Sequence, residues 1–284
     1  MRRLAAVLAL VLAGCGGSHG PSATRPASAP APAPRPIGVV GPLRVEVARS
    51  AQRRVSLARV AGSRLVLVSA ETAGPVALAS AAAAHPGIHF ALVGASIDSS
   101  KRPNLVGLVL RGDQAARLAG IAAGLVLTDA GGSRASAAWV GPRKPGLTTA
   151  FSRGVHSAAP GATVLVAGSP PDPSRCKQAA LGVLARGAVV VMAEGGLCAA
   201  GAIAAAHEAN RPGIELADFE LPSVAATIVA REALAGVYHG GEDLVFGAAD
   251  GAIGVRELDP RIPPSVATLI RAAAQQLGRR KHVG

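Results

Sequence analysis

Polar and small residues follow several of the predicted strands, where a parallel sheet exposes the edge at which ligands bind. In open parallel sheets, ligands lie beyond the carboxyl ends of the strands. Carboxylates at that edge accept hydrogen bonds from ligand hydroxyl and amino groups, basic side chains attract anions, and glycines let a ligand approach the backbone. We therefore expect ligand contacts from the residues that end or follow these strands, namely Ser69, Glu71, Gly94, Ser96, Arg143, Glu194, Gly195, Gly196 and Asp218.

Two aromatic residues complete this set of candidates. Only 2% of the chain is aromatic, and a sugar or a base needs at least one ring face for stacking. Phe219 adjoins Asp218 at a strand end, whereas Phe151 lies on a predicted helix, where core packing explains it equally well. Arg143 and the glycine pair also have plain structural interpretations, as an exposed loop residue and a tight turn.

None of these residues forms a recognisable catalytic set. The sequence contains no G-x-S-x-G motif, no phosphate-binding loop, no zinc-ligand spacing and no paired carboxylates on one element. Cys198 at a helix start would act as a nucleophile only with a histidine base, and no motif links His156 or His207 to it. We therefore predict that the protein is not an enzyme and that it uses no cofactor and no metal.

The elements that must position these residues alternate between strands and helices. β-branched or apolar runs alternate with Ala-rich stretches from residue 37 onward, a pattern typical of parallel sheets covered by helices on both faces. The sequence therefore predicts an α/β fold. The predicted strands are 37–40, 64–69, 89–94, 104–110, 137–141, 163–168, 189–194, 244–246 and 253–256. The predicted helices are 75–84, 113–127, 147–158, 174–186, 199–210, 223–238 and 264–277.

Composition and charge exclude several classes of protein. Half of the 284 residues are hydrophobic and 16% are charged, which excludes a disordered chain, and three cysteines are too few for a disulfide scaffold. The formal charge of +12 is compatible with nucleic-acid binding. However, the arginines are scattered and are not interleaved with aromatic residues. We therefore predict no nucleic-acid partner.

The N-terminus has the composition of an export signal. Residues 1–15 combine two arginines, an apolar run too short to span a bilayer, and small residues before Cys15. The sequence LAGC at 12–15 resembles the lipobox of bacterial lipoproteins, in which the cysteine is acylated; the alternative is an ordinary signal peptide with a chance cysteine. The resemblance implies an exported protein anchored by lipid to the extracytoplasmic face of the cell membrane. Residues 16–36 alternate Ala and Pro, which predicts a semi-rigid linker.

Two further cysteines, Cys176 and Cys198, are predicted to form a disulfide. Each lies at the start of a predicted helix in consecutive βα units, so both are expected at the same edge of one sheet. An exported protein lies in a compartment that permits disulfides.

Several segments resemble the basic membrane protein family of ABC-transporter substrate-binding lipoproteins. The resemblance begins with HFALVG at 89–94, NLVGLVL at 104–110 and AGIAAG at 119–124. It continues through Phe151 and its neighbours, the glycine pair Gly195-Gly196, and DGAIG at 250–254. The order and spacing of these segments carry the resemblance, which covers most of residues 60–260.

The resemblance implies a two-lobed type I periplasmic-binding fold that closes on a small ligand. We expect the first lobe at 37–110 and the second lobe at 111–218. Residues 219–284 are expected to return to the first lobe and to end in a segment shared by both lobes. Family members with an assigned ligand mostly bind nucleosides, and the implied partners are a small polar ligand and an ABC permease.

The first lobe departs from the family pattern. The loop after Val40 lacks the acidic, serine and aromatic groups with which family members contact sugar and base, and the first βα unit is shortened. Asp218 remains as an acidic group after the second-lobe glycines. Two functions follow: a membrane-anchored solute-binding lipoprotein, or a degenerate, ligand-free module that acts as a sensor or surface interaction protein.

Overall fold

The computed structural model describes residues 37–40, 64–70, 72–97, 102–131 and 135–279, with the backbone alone for the first range. No helix in this part of the chain is long and apolar enough to cross a membrane.

Nine strands in the described part of the chain form two parallel sheets. The strands are β1 Ile37–Val40, β2 Leu65–Ser69, β3 His89–Val93, β4 Leu105–Leu110, β5 Ser136–Gly141, β6 Thr163–Gly168, β7 Ala188–Ala193, β8 Gly213–Glu215 and β9 Asp243–Phe246. The first sheet has the order β1-β2-β3-β4-β9, and the second has the order β6-β5-β7-β8. Every pair of neighbouring strands runs parallel, which confirms the predicted α/β fold.

Helices connect the strands and cover the sheets. They are α1 Pro75–Ala84, α2 Gly112–Asp129, α3 Pro145–Ala158, α4 Pro173–Ala185, α5 Gly196–Glu208, α6 Pro222–Leu234 and α7 Pro264–Arg279. Proline lies in the first turn of α1, α3, α4 and α6. Its fixed φ suits a helix start, and the amide hydrogen that it lacks would have no partner there.

The strands are apolar because helices cover both of their faces. All five residues of β2 are buried, as are the last five residues of β5. On one face of the second sheet, Trp139 meets Phe151 edge to face, with ring centroids 5.6 Å apart. Helices α2 and α3 approach closely through Gly120, where a Cβ atom would overlap the carbonyl oxygen of Phe151.

The chain passes between the two sheets three times. The first crossing joins β4 to α2, the second leads from a 3₁₀ turn at Leu216–Phe219 to α6, and the third leads from β9 through a 3₁₀ turn at Ala248–Asp250 towards α7. Three backbone hydrogen bonds pair the second and third crossings: Leu221 N–H donates to Ala252 O at 2.8 Å, Gly254 N–H to Phe219 O at 3.1 Å, and Arg256 N–H to Asp218 O at 2.8 Å.

This pairing shows that the predicted strand at 253–256 was wrong. The segment forms only an isolated antiparallel bridge, between Ile253 and Glu220. The apolar Ile253 of this segment packs into the core. The backbone of the segment is extended because it pairs with the second crossing and not with a strand of either sheet. Gly251, with a φ of 75°, turns the chain immediately before it.

A buried carboxylate attaches the segment before α7 to the second sheet. Asp259, 2% exposed, accepts hydrogen bonds from Gly213 N–H at 2.7 Å and Arg261 N–H at 2.8 Å, and pairs with His207 Nε2 at 2.7 Å. Burial raises the pKa of this carboxyl, but the hydrogen bonds outweigh burial and hold the pKa below its ordinary value.

The predicted disulfide is present in the structure. Cys176 on α4 and Cys198 on α5 are joined, with their Cα atoms 5.3 Å apart and a sequence separation of 22 residues. Both helices begin at the carboxyl edge of the second sheet, as the spacing of the βα units indicated. In the chain-entropy model, closing a loop of this size stabilises the fold by about 3 kcal/mol.

Candidate functional site

The carboxyl edge of the second sheet brings several predicted residues together. Lys144 follows β5 and Glu194 follows β7, its direct neighbour in the sheet. The Lys144 Nζ atom lies 2.5 Å from Glu194 Oε1. Gly141 at the end of β5 permits this arrangement, because a Cβ atom there would lie 2.9 Å from the Glu194 Cβ. The positive charge of Lys144, in the loop after β5, is therefore partly neutralised by Glu194.

The second oxygen of Glu194 is buried and lacks a hydrogen-bond partner among the described residues. The side chain is only 10% exposed. A buried polar atom without a partner costs about 1–3 kcal/mol, and more when it is charged. A ligand that donates a hydrogen bond to Glu194 Oε2 would remove this penalty, so this atom is the clearest acceptor in the site.

Glu220 is a second carboxylate beside the same lysine. It lies in the second crossing, at the bridge to Ile253, and its Oε1 lies 3.9 Å from where a Cβ on Gly112 would be. Burial raises the pKa of Glu220, Lys144 lowers it, and the negative charge of Glu194 raises it again. We call Lys144, Glu194 and Glu220 the hinge cluster, because it joins the edge of the second sheet to a crossing segment.

Sequence reasoning missed Glu220. The available signal was its position: it follows Asp218 and Phe219 and lies two residues before Pro222, which starts a helix of the other sheet. Only the pairing of the crossings, which no local pattern predicts, brings it to Lys144.

The predicted glycine pair forms the turn beside the hinge cluster. Gly195 and Gly196 have φ values of 117° and 61°, a region that favours glycine over residues with side chains. The turn thus carries the chain from Glu194 directly into α5. The glycine pair therefore forms a tight turn, and a ligand that approaches its backbone remains compatible with this turn.

At the first sheet, the structure places Ser69 and Gly94 at the carboxyl edge, whereas Ser96 lies against Asp243, the first residue of β9. Ser69 ends β2 and is buried, and Gly94 follows β3 with a φ of 94°. Ser96 donates a hydrogen bond of 2.5 Å to Asp243 Oδ2, and the Ile97 N–H donates to Oδ1 at 2.9 Å. Asp243 therefore fixes the loop that follows β3. Glu71 lies outside the described residues, as does Cys15.

Arg143 and Asp218 have local partners. The side chain of Arg143 packs over Gly168 at the end of β6, so closely that a Cβ atom on this glycine would lie 2.6 Å from the Arg143 Nε. Asp218 accepts a hydrogen bond from Glu215 N–H at 3.1 Å and lies 3.5 Å from Arg256, which holds the 3₁₀ turn and the third crossing together. Burial raises the pKa of Asp218.

Both predicted aromatic contacts lie in the core. Phe151 and Phe219 have no exposed surface and belong to the cluster of apolar residues between the second sheet, α2 and α7. A ring without exposed surface has no face on which a ligand can stack. The stacking role predicted for these two rings therefore does not fit this structure, and core packing explains both.

Comparison with known proteins identifies the family. The chain matches the family model described as PnrA-like ABC transporter substrate-binding protein over residues 47–215. The chain belongs to this family. No curated protein matches it. The match ends before the second crossing, so Glu220 lies outside it.

Several solved structures share the fold. A solute-binding protein of an ABC transporter system from Conexibacter woesei is 18% identical, with a TM-score of 0.59 over 78% of this chain and 79% of that chain. One from Aeropyrum pernix is 20% identical, with a TM-score of 0.53 over 79% and 70%. A transcriptional activator of the comK gene from Bacillus halodurans is 14% identical, with a TM-score of 0.60 over 78% and 80%. The chain thus has the two-lobed type I periplasmic-binding fold.

Replacing Glu220 by Gln should stabilise this substrate-binding protein at neutral pH. A raised pKa means that the folded state binds the proton more tightly than the unfolded state, so ionised Glu220 lowers stability as pH rises. Thermal unfolding should show a melting temperature a few degrees above wild type at pH 8. The difference should shrink as the pH falls below the ordinary pKa of glutamate, because the carboxyl is then protonated in both the folded and the unfolded state.

The exposed Glu242→Gln variant, directly before β9 of the first sheet, is the matched control and should leave the melting temperature nearly unchanged across this pH range, because its pairing with His239 is solvent-exposed. A Glu220→Gln variant that is less stable than wild type at pH 8 would contradict the assignment of Glu220 as a costly buried charge.

Proposed function

We propose that this protein captures a small polar ligand between its two lobes and delivers it to an ABC permease. Each lobe is built around one of the two sheets, with the boundaries predicted near residues 110 and 218. Ser69, Gly94, Glu194 and the glycine pair follow or end strands at the carboxyl edges, where ligands bind in such folds, and the three crossings are the proposed hinge. Membership of the substrate-binding family supports this role.

The observation that carries the proposal is the unpartnered oxygen of Glu194 in the hinge cluster. Lys144 is at ion-pair distance from Glu194 alone among the described carboxylates, while Glu220 lies near enough for both charges to affect its pKa, so the cluster has more hydrogen-bond acceptors than donors. A ligand rich in hydroxyl or amino groups supplies the donors that this cluster lacks. Ligands of this kind include sugars and nucleosides.

The burial of Phe151 and Phe219 favours recognition by hydrogen bonds over stacking on these two rings. A nucleoside remains within the proposed ligand class, held by its ribose hydroxyls and the amino group of its base. Burial of a carboxylate beside a hydrogen-bonding ligand excludes water and strengthens each contact.

Glu194→Gln should weaken ligand binding at least tenfold. Nucleosides, sugars and amino compounds are first screened against the wild type by thermal shift, since a ligand that binds the folded state raises the melting temperature. A hydrogen bond to a charged group contributes about 1.5–3 kcal/mol, which corresponds to roughly 10–100-fold in affinity. Titration calorimetry of the best ligand then compares the variants.

Glu208→Gln is the control for this experiment, because Glu208 lies at the opposite end of α5 and pairs with Lys177. It should bind like wild type. Unchanged affinity in Glu194→Gln would remove Glu194 from the site, while transport binding by other residues would stand.

A second candidate is a ligand-free module that acts as a sensor or surface interaction protein. The engagement of Ser96 by Asp243 and the burial of both predicted rings favour it. A screen without any thermal shift, together with capture of a specific protein partner, would support this function and end the transport proposal.

We further propose that Cys15 carries the lipid that anchors the protein outside the cytoplasm, with residues 16–36 as the linker. Mass spectrometry of the mature protein, expressed in a bacterium, should find an acylated N-terminal cysteine. Cys15→Ser should release the protein from the membrane fraction. A membrane-bound Cys15→Ser protein, or an unmodified Cys15, would contradict the anchor.

A further inference from the structure

An arginine-lined cavity lies beside α2 and α3 of the second sheet, next to the hinge cluster. Arg111 and Asp113 of its wall flank Gly112, where a Cβ atom would lie 3.9 Å from Glu220 Oε1. The cavity has a volume of about 310 Å³ and lies between α2, α3 and the end of α7. Arg111, Arg117 and Arg153 line it, together with Asp113, Gln114 and Leu277. Neither Lys144 nor the two glutamates of the hinge cluster contribute to its walls.

The charges of this cavity are unbalanced. Its one carboxylate, Asp113, is already bound by Arg111 through two hydrogen bonds, of 2.9 and 3.0 Å. Within the ranges that the structure describes, no carboxylate lies in ion-pair distance of Arg117 or Arg153. Two exposed guanidinium groups, from neighbouring helices, therefore face the cavity without a neutralising partner.

The remaining polar group of the cavity is already engaged. Gln114 Oε1 accepts a hydrogen bond of 2.8 Å from Ala248 N–H in the third crossing. This bond fixes the start of α2 against the 3₁₀ turn, so the wall that carries Arg111 and Arg117 is held in place. The walls of the cavity thus come from three packed helices, α2, α3 and α7, and not from a single exposed helix face.

We propose that this cavity binds a small molecule with a phosphate group, at a site beside the hinge cluster whose walls do not include Lys144, Glu194 or Glu220. Guanidinium groups bind phosphate oxygens in pairs through their planar fork of N–H donors. A cavity of about 300 Å³ is at the lower end of small-molecule sites. Its excess of positive charge selects a ligand with two or more negative charges, and its apolar wall at Leu277 and Ala150 accommodates a short organic group.

Pyrophosphate is the probe for this site, with inorganic phosphate and citrate for comparison. Titration calorimetry of the mature protein at pH 7.5 and 0.15 M salt should show saturable binding of one pyrophosphate per chain. Arg117→Gln and Arg153→Gln should each weaken binding at least tenfold. Both residues are exposed, so the variants should keep the melting temperature of the free protein.

Arg186→Gln is the matched control, because it removes the same charge from an exposed turn after α4, away from the cavity. It should bind pyrophosphate like wild type. An equal loss of pyrophosphate affinity in Arg117→Gln, Arg153→Gln and Arg186→Gln, or binding that does not saturate, would show only general attraction of an anion to a basic protein. Either result would overturn the proposal. Binding of citrate without binding of pyrophosphate would overturn the assignment to phosphate.

This result is independent of the ligand in the hinge cluster. Glu194→Gln should leave pyrophosphate binding unchanged, since Glu194 does not line the cavity. Competition between pyrophosphate and the cleft ligand for one site would contradict a separate cavity.

Discussion

Three backbone hydrogen bonds, between residues 218–221 and 252–256, join the second and third crossings of the chain. These two crossings run in opposite directions between the sheets, so their pairing turns two connections into one two-stranded hinge beside the first crossing. The start of α2 is attached to this hinge by the hydrogen bond from Ala248 N–H to Gln114 Oε1. The ion pair between Asp218 and Arg256 further joins the two crossings. The positions of Glu220 and of α6 and α7 all depend on this pairing.

The hinge holds the largely buried carboxylate of Glu220 where its negative charge lowers stability. Glu220 is held beside Glu194, and the cation among the described residues that lowers its pKa is Lys144, which is already 2.5 Å from Glu194. A protein selected for stability alone would replace one carboxylate with an amide or an apolar residue. Under the proposed function, an excess of acceptors suits a site that a ligand rich in hydrogen-bond donors completes.

Much of the architecture follows from local sequence. Short apolar runs such as 65–69, alternating with longer Ala-rich stretches, favour strands covered on both faces. Prolines mark the helix starts, and the βα spacing places Cys176 and Cys198 at one edge. Glu194 was also predictable, because it directly follows a strand.

The errors have a common physical cause, which is that burial is decided by distant parts of the chain. An apolar, extended segment at 253–256 has the same local pattern whether it pairs with a sheet or with a crossing. Phe151 and Phe219 are compatible with a ligand face or a core until α7 and Trp139 cover them. Glu220 has no local motif, and only the return of the chain places it near Lys144.

The most direct test of the account is the distance between the lobes with and without ligand. Spin labels at Val76→Cys on α1 and Thr149→Cys on α3 are exposed near the carboxyl edges of the two sheets, and the bonded pair Cys176–Cys198 leaves no native thiol there to compete. Pulsed electron paramagnetic resonance should show a shorter and narrower distance distribution at saturating ligand. An unchanged distribution with ligand bound would contradict capture between closing lobes.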